Sequence, residues 1–151
     1  TLLDILDARA QRAAAQRMLL DKHHLRVVSL TVVMPGPEKL TPTSRYIAEV
    51  GRHIIEDTFI IEESLVRDTP AGPEAIYVVE GTPMEIKRLC AKIEDQHPLG
   101  RLLDIDVIGL QPRRCLVCGQ HAHSCVRSQK HTIPEVLAVI EQIVEDYKQN
   151  Q

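Results

Sequence analysis

The sequence predicts a single α+β domain: a small, partly antiparallel sheet packed by about four helices, with an irregular Cys/His-rich segment before the last helix. Three observations lead there. Short β-branched runs alternate with amphipathic helical stretches. Thr and Pro together mark three helix starts. The 151 residues, 44% apolar and 26% charged, suit one domain spanning 1–151 with its own core. Aromatic residues are few, namely Phe59, Tyr46, Tyr77 and Tyr147, so that core must rest on Leu, Ile and Val.

The elements follow in order. Residues 2–22 are Ala-rich and suit a helix, with Leu2, Leu6, Ala10, Ala13 and Leu20 on one face and Arg9, Arg12 and Arg17 outside it. Leu25–Val33 is short and β-branched and stops at Pro35-Gly36-Pro37, as a central strand would. Thr41-Pro42 opens a helix to about Asp57, with Ile47, Val50 and Ile54 inward. Residues 68–74 read as a loop and Ala75–Glu80 as a second strand. A third helix starts at Thr82-Pro83-Met84-Glu85 and turns Ile86, Leu89, Cys90 and Ile93 inward, so Cys90 is expected to act as a small core hydrophobe. Pro98-Leu99-Gly100 ends it and Leu102–Ile108 forms a third strand. The last helix opens at Thr132-Ile133-Pro134-Glu135 with a stripe of Ile133, Val136, Leu137, Ile140, Val144 and Tyr147.

Composition excludes several functions. A surface that stacks single-stranded nucleic acid needs more aromatic platforms than this chain has, and a net charge of −3 gives no general attraction for polyanions or anionic membranes. The longest apolar run, Leu25 to Met34, is too short to span a bilayer. The first residues carry Asp4 and Asp7 and lack the order of a secretory signal, so a cytoplasmic location is expected. In a reducing compartment, clustered cysteines read as metal-binding or catalytic.

Two clusters carry chemistry. Along the third strand, Asp104 and Asp106 share one face while Leu103, Ile105 and Val107 share the other. Two like charges side by side are disfavoured in a strand, and a divalent cation relieves them, since Mg²⁺ takes one or two carboxylates together with substrate phosphates; an edge strand with a solvated polar face is the other reading. Gly100 and Arg101 lead into that strand, where glycine permits close approach of a ligand and arginine can clamp a phosphate. The second cluster is Cys115, Cys118, Cys125 and His131, a plausible Cys₃His set for structural Zn²⁺, with His121 and His123 as rival ligands and packed reduced thiols as the other reading. From Val107 through Pro134 no acidic residue occurs, while Arg113, Arg114, Arg127 and Lys130 do. Beside a carboxylate pair, that segment suits a multiply phosphorylated substrate.

The string HPLGRLxDIDV at His97–Val107, the PGPxK turn at Pro35–Lys39 and the pattern RxCLxCxxxAxxCxRxxxH from Arg113 to His131 resemble the apo-citrate lyase phosphoribosyl-dephospho-CoA transferases, also called citrate lyase holo-acyl-carrier-protein synthases. Arg9, Arg12 and Gln16 in the first helix, and Gly72-Pro73-Glu74-Ala75, extend the likeness. The resemblance implies a nucleotidyltransferase-type domain over residues 1–151; a zinc-stabilised subsegment at 113–131 is what the Cys/His spacing adds on its zinc reading. The resemblance also implies a reaction: triphosphoribosyl-dephospho-CoA gives phosphoribosyl-dephospho-CoA to a serine of the citrate lyase acyl-carrier subunit, releasing pyrophosphate. On that reading Asp104 and Asp106 hold Mg²⁺ and Arg101 clamps phosphate, while Gly100, Lys39, Arg113, Arg114 and Arg127 bind substrate. Two departures stand out: Leu103 replaces a common aromatic, and the link from Asp106 to Cys115 is shorter than is usual in the family. The competing function is a non-enzymatic zinc module that binds protein or nucleic acid, which leaves Asp104 and Asp106 without work.

Overall fold

The computed structural model describes residues 1–23, 26–108 and 131–151. Its sheet is built outward from β1 (Val27–Val32). On one side β1 pairs with β3 (Gly72–Val79), which pairs in turn with β2 (Ile61–Thr69); on the other it pairs with β4 (Leu103–Val107). All three pairings are antiparallel, so the expected partly antiparallel sheet is antiparallel throughout its described strands. The helices are α1 (Leu2–His23), α2 (Pro42–Thr58), α3 (Pro83–Gln96) and α4 (Ile133–Gln149). No described helix is long and apolar enough to cross a membrane.

Residues 68–74, expected to be a loop, instead belong to a β-hairpin. Asp68 pairs with Pro73 and Thr69 with Gly72, which leaves Pro70-Ala71 as the turn. Gly72 sits at φ 107, where a side chain would be strained. The sequence reading also misses β2 entirely. As an outer strand β2 is largely exposed, and its sequence IEESLVRDT has the charged character that solvent-facing edge strands carry.

The main core lies between one sheet face and helices α2, α3 and α4. Val28, Leu30, Ala75, Tyr77, Val79, Leu103, Ile105 and Val107 from the sheet meet Ile47, Ile55, Ile86, Cys90, Ile140 and Val144 from the helices. Burial pushes the Cys90 thiol up to about 12, as befits a core residue rather than a reactive one. α2 opens with a reciprocal capping box: Thr41 Oγ1 accepts from the Ser44 N–H at 3.0 Å and Ser44 Oγ accepts from the Thr41 N–H at 2.9 Å, an arrangement worth about 1 kcal/mol. Thr82 and Thr132 cap α3 and α4 by accepting from Glu85 and Glu135 N–H, both at 3.2 Å. Ile133, placed on the inward stripe of the last helix by its periodicity, is 48% exposed.

α1 covers the opposite sheet face, but with a different stripe from the expected one. Leu2 and Leu6 are exposed, whereas Ile5 and Ala8 are buried, and Arg12, Ala15, Gln16, Leu19 and Leu20 are half-buried. Ala and Leu occur all round this helix, so apolar spacing alone does not fix its rotation. The sheet face decides it: Val27, Ile76 and Val78 take up Ala15, Leu19 and Leu20, while polar residues further along the sheet meet Gln16 and the arginines.

Candidate active site

Directly paired residues in an antiparallel ladder project to the same face. On the α1 side the register therefore lines up Arg67, Glu74, Thr31 and Asp104 across four strands, and beside them Leu65, Ile76, Ser29 and Asp106. Thr31 Oγ1 donates to Asp104 Oδ2 at 3.2 Å. Buried Ser29 accepts from Gln16 Nε2 at 2.8 Å, which fixes α1 over the row that ends at Asp106. Asp104 and Asp106 are half-exposed, and the residues alternating with them in β4 are buried. The strand thus presents its carboxylate pair on the face the sequence assigned to it.

A third carboxylate, not among the expected site residues, lies in the same row. The Glu74 side chain is 2% exposed, and its Oε1 stands 3.3 Å from Arg67 Nη2. Burial raises its pKa, opposed by the positive charges of Arg67 and of Arg12 on α1. Its other oxygen, Oε2, is buried without a hydrogen-bond partner, as are Arg67 Nε and Nη2, the latter close enough to Glu74 for an ion pair but not aligned for a hydrogen bond. The sequence signal for this group is weak: Glu74 stands out only through the resemblance, Arg12 through the resemblance and as a residue outside the apolar face of its helix, and Arg67 lies in a strand the composition hides.

Lys39 joins the same end of the sheet. Its Nζ donates to the Met34 carbonyl at 2.6 Å, and its pKa is lowered by burial and then by the Arg9 charge. A Cβ on Gly72 would stand 3.2 Å from the Lys39 carbonyl oxygen, so the β2–β3 hairpin closes against this lysine's backbone.

Arg101 is exposed on the 3₁₀ turn Gly100–Leu102 that feeds β4. Gly100 is buried, and a Cβ there would lie 2.3 Å from the Ile93 carbonyl oxygen and 2.4 Å from that of Glu94. The end of α3 thus already requires a glycine at this position. Glu94 Oε1 accepts from the Ile105 N–H at 3.3 Å and His97 Nδ1 from the Leu99 N–H at 3.0 Å, so both side chains near the turn brace β4 and its approach.

Arg113, Arg114, Cys115, Cys118, Cys125 and Arg127 lie outside the described residues, as do His121 and His123. Of the expected zinc set only His131 is described; its Nδ1 is 3.6 Å from Glu135 Oε2. Among the described residues no group of three or more His, Cys, Asp or Glu converges on a common point. A cavity of about 250 Å³, lined by Pro98, Ile143, Asp146, Tyr147, Asn150 and Gln151, lies on the helical side of the sheet, away from the carboxylates.

Comparison with known proteins identifies the family. The family model described as apo-citrate lyase phosphoribosyl-dephospho-CoA transferase matches residues 1–147. The chain belongs to that family. A Vibrio cholerae protein named probable apo-citrate lyase phosphoribosyl-dephospho-CoA transferase is 36% identical over an alignment of 156 positions, covering 90% of this chain and 86% of its own. An Escherichia coli protein named apo-citrate lyase phosphoribosyl-dephospho-CoA transferase is 32% identical over 160, covering 95% and 87%. That membership leaves the non-enzymatic zinc-module reading without support.

Proposed function

We propose that this chain transfers phosphoribosyl-dephospho-CoA from triphosphoribosyl-dephospho-CoA to a serine hydroxyl of the citrate lyase acyl-carrier subunit. The observation that carries the reading, beside family membership, is the Asp104/Asp106 pair on a sheet face shared with Arg67, Arg12 and Lys39. A carboxylate pair alone would repel a triphosphate; with cations further along the same row, the face suits a phosphate chain and a divalent ion together.

The donor set fits Mg²⁺. Asp104 and Asp106 offer hard oxygen ligands from one strand face, with Cα atoms about 7 Å apart. Both are half-exposed, leaving room for the waters and substrate oxygens that Mg²⁺ retains. When bound, the ion would neutralise phosphate charge and polarise the phosphoryl group under attack. Thr31 holds Asp104 by its hydroxyl, and Gln16, through Ser29, holds α1 beside Asp106. Arg101, exposed on the turn that leads into β4, is assigned to the donor's phosphates on this reading.

In the transfer the serine oxygen forms a bond to the phosphorus nearest the ribose. The bond from that phosphorus to the oxygen bridging it to the next phosphate breaks, and its electron pair leaves with pyrophosphate. The serine proton passes to solvent. Catalysis then rests on positioning and charge neutralisation, without a covalent enzyme intermediate. Incubating the protein with Mg²⁺, triphosphoribosyl-dephospho-CoA and the apo carrier tests this: the carrier should gain the mass of the prosthetic group, and an unchanged carrier mass with folded protein would sink the reading.

A further inference from the structure

The cations on the α1 side of the sheet form a second centre, distinct from the aspartates. Arg67 comes from β2, Arg12 and Arg9 from successive turns of α1, and Lys39 from the segment after β1. α1 sets Leu19 and Leu20 against Val27 and Val78 and Gln16 against Ser29, so Arg12 and Arg9, one and two turns nearer its start, follow toward Thr31 and Glu74, and the Gly72 backbone packs against Lys39 at the same hairpin end of the sheet. One buried carboxylate, Glu74, stands among them, so the group retains excess positive charge. Its donors are not used up. Arg67 Nε and Nη2 are buried without hydrogen-bond partners, Arg9 and Arg12 make no hydrogen bond or ion pair among the described residues, and Lys39 commits to Met34 only one of the three donors an ammonium has. Arg67 Nε and Nη2 are out of reach of solvent and lend the cluster their charge, whereas Arg12 and Lys39, half-buried, and exposed Arg9 hold the donors an anion can reach.

Glu74 and Asp104 flank Thr31 in the register, which puts Glu74 two strand spacings, about 10 Å, from the aspartate strand and the Arg67 backbone three, about 14 Å, with the long arginine side chains left to close the distance. A phosphate chain lying along the row from Asp104 to Arg67 would place its reacting end at the carboxylates and its far end among the arginines. We propose that Arg12, Arg67 and Lys39, with Arg9 at the rim, form the subsite for the two terminal phosphates of the donor, and so receive pyrophosphate as it departs. The proposal rests on the transferase reading for its reaction but not for its chemistry: a guanidinium cluster binds pyrophosphate whether or not the transfer takes place. The step adds no reactant, since the electron pair of the broken bond stays on the pyrophosphate oxygen, whose charge the cluster neutralises.

The test is calorimetric titration of the full chain with inorganic pyrophosphate in EDTA, which removes any contribution from a metal at the aspartates. Wild type should bind pyrophosphate more tightly than inorganic phosphate, and Arg12→Gln and Arg67→Gln should each weaken binding at least tenfold. In the transfer assay the same variants should raise KM for the donor at least tenfold with a smaller change in kcat, while binding of dephospho-CoA, which lacks the triphosphate, stays as in wild type. Because Arg67 is largely buried and its variant could fail to fold, Arg9→Gln on exposed helix surface provides a second measurement, with a smaller loss in the same direction. Wild-type pyrophosphate affinity in folded Arg12→Gln and Arg9→Gln would overturn the subsite. A wild-type protein that binds pyrophosphate through these arginines yet leaves the apo carrier unmodified would overturn the transferase reading and leave the subsite standing.

Discussion

On the face of the sheet under α2, α3 and α4, β4 contributes Leu103, Ile105 and Val107, all buried; on the face under α1 the same strand contributes Asp104 and Asp106, both half-exposed. The contrast continues across the sheet. β1 and β3 send Leu30 and Ala75 to the first face and Thr31 and Glu74 to the second. One face excludes water by shape, and the other keeps polar groups in a fixed row. Side chains alternate with a period of two, so a slip of one residue in the β1–β4 register would put the carboxylates into the core and Leu103 beneath α1. The cost of burying those charges fixes the register, and the apolar face thereby holds the polar one in place.

The sharpest way to break this comparison is to remove charge from the polar face without changing its shape. Asp104→Asn and Asp106→Asn should each lower the transfer rate by roughly 10²–10³-fold, the magnitude of losing one preorganised charge-stabilising group, while the melting temperature stays near wild type. Carrier mass against time and a thermal melt read the two quantities. A variant that transfers at the wild-type rate takes that residue out of the site.

On the other face the next effect should appear in stability alone. Gly100→Ala would drive a Cβ against the Ile93 and Glu94 carbonyl oxygens, and backbone displacement of this kind costs about 1–3 kcal/mol. Denaturant unfolding should show that loss, with KM for the donor unchanged in the folded fraction. A raised KM at unchanged stability would instead make Gly100 a substrate contact.

Smaller still is the seam between the faces and their helices. Gln16→Ala removes the hydrogen bond to buried Ser29 and should cost about 1 kcal/mol. It should also reduce kcat modestly, because Gln16 fixes α1, and with it Arg12, over the polar row. An unfolding curve with a transfer assay checks both, and loss of stability with an untouched rate would make α1 a cover rather than part of the site.

How far the sequence carried these conclusions also differs between the two faces. The apolar face was legible in most of its parts: Ile86, Cys90, Ile93, Ile140 and Val144 were assigned from helical spacing and are buried. The alternation in β4 was legible for the same reason, since a period of two needs no tertiary information. The rest of the polar face was not. Glu74 meets Arg67 and Thr31 only through strand register, which sequence spacing does not encode, and Arg67 stands in an outer strand whose charged composition masked it. α1 was assigned as a helix but rotated wrongly, because its apolar residues encircle it and the choice of face belongs to the sheet beneath. Gly100 showed the converse: a glycine beside a candidate site suggested room for a ligand, yet carbonyl oxygens from the preceding helix occupy the space its Cβ would need.

The smallest effect expected is one of pH, and it tests whether His97 belongs to the structural side of the comparison. Its Nδ1 accepts from the Leu99 N–H at 3.0 Å and its ring lies 5.4 Å from that of Tyr147 on α4. Burial lowers its pKa from the ordinary 6.5, so the folded protein holds this proton less well than the unfolded chain. The stability that the neutral ring contributes is therefore complete above the ordinary value and is lost as pH falls through the folded one, when a proton on Nδ1 displaces the Leu99 hydrogen bond. Melting temperatures between about pH 7.5 and 5.5 should fall more in wild type than in His97→Gln, whose side chain does not titrate. Equal slopes would show that His97 carries no such linkage. Because the Leu99 bond positions the turn into β4 from the helical side, the transfer rate per folded molecule should follow the same pH profile in both proteins. A profile that moved with the substitution would bring His97 across the sheet and into the chemistry.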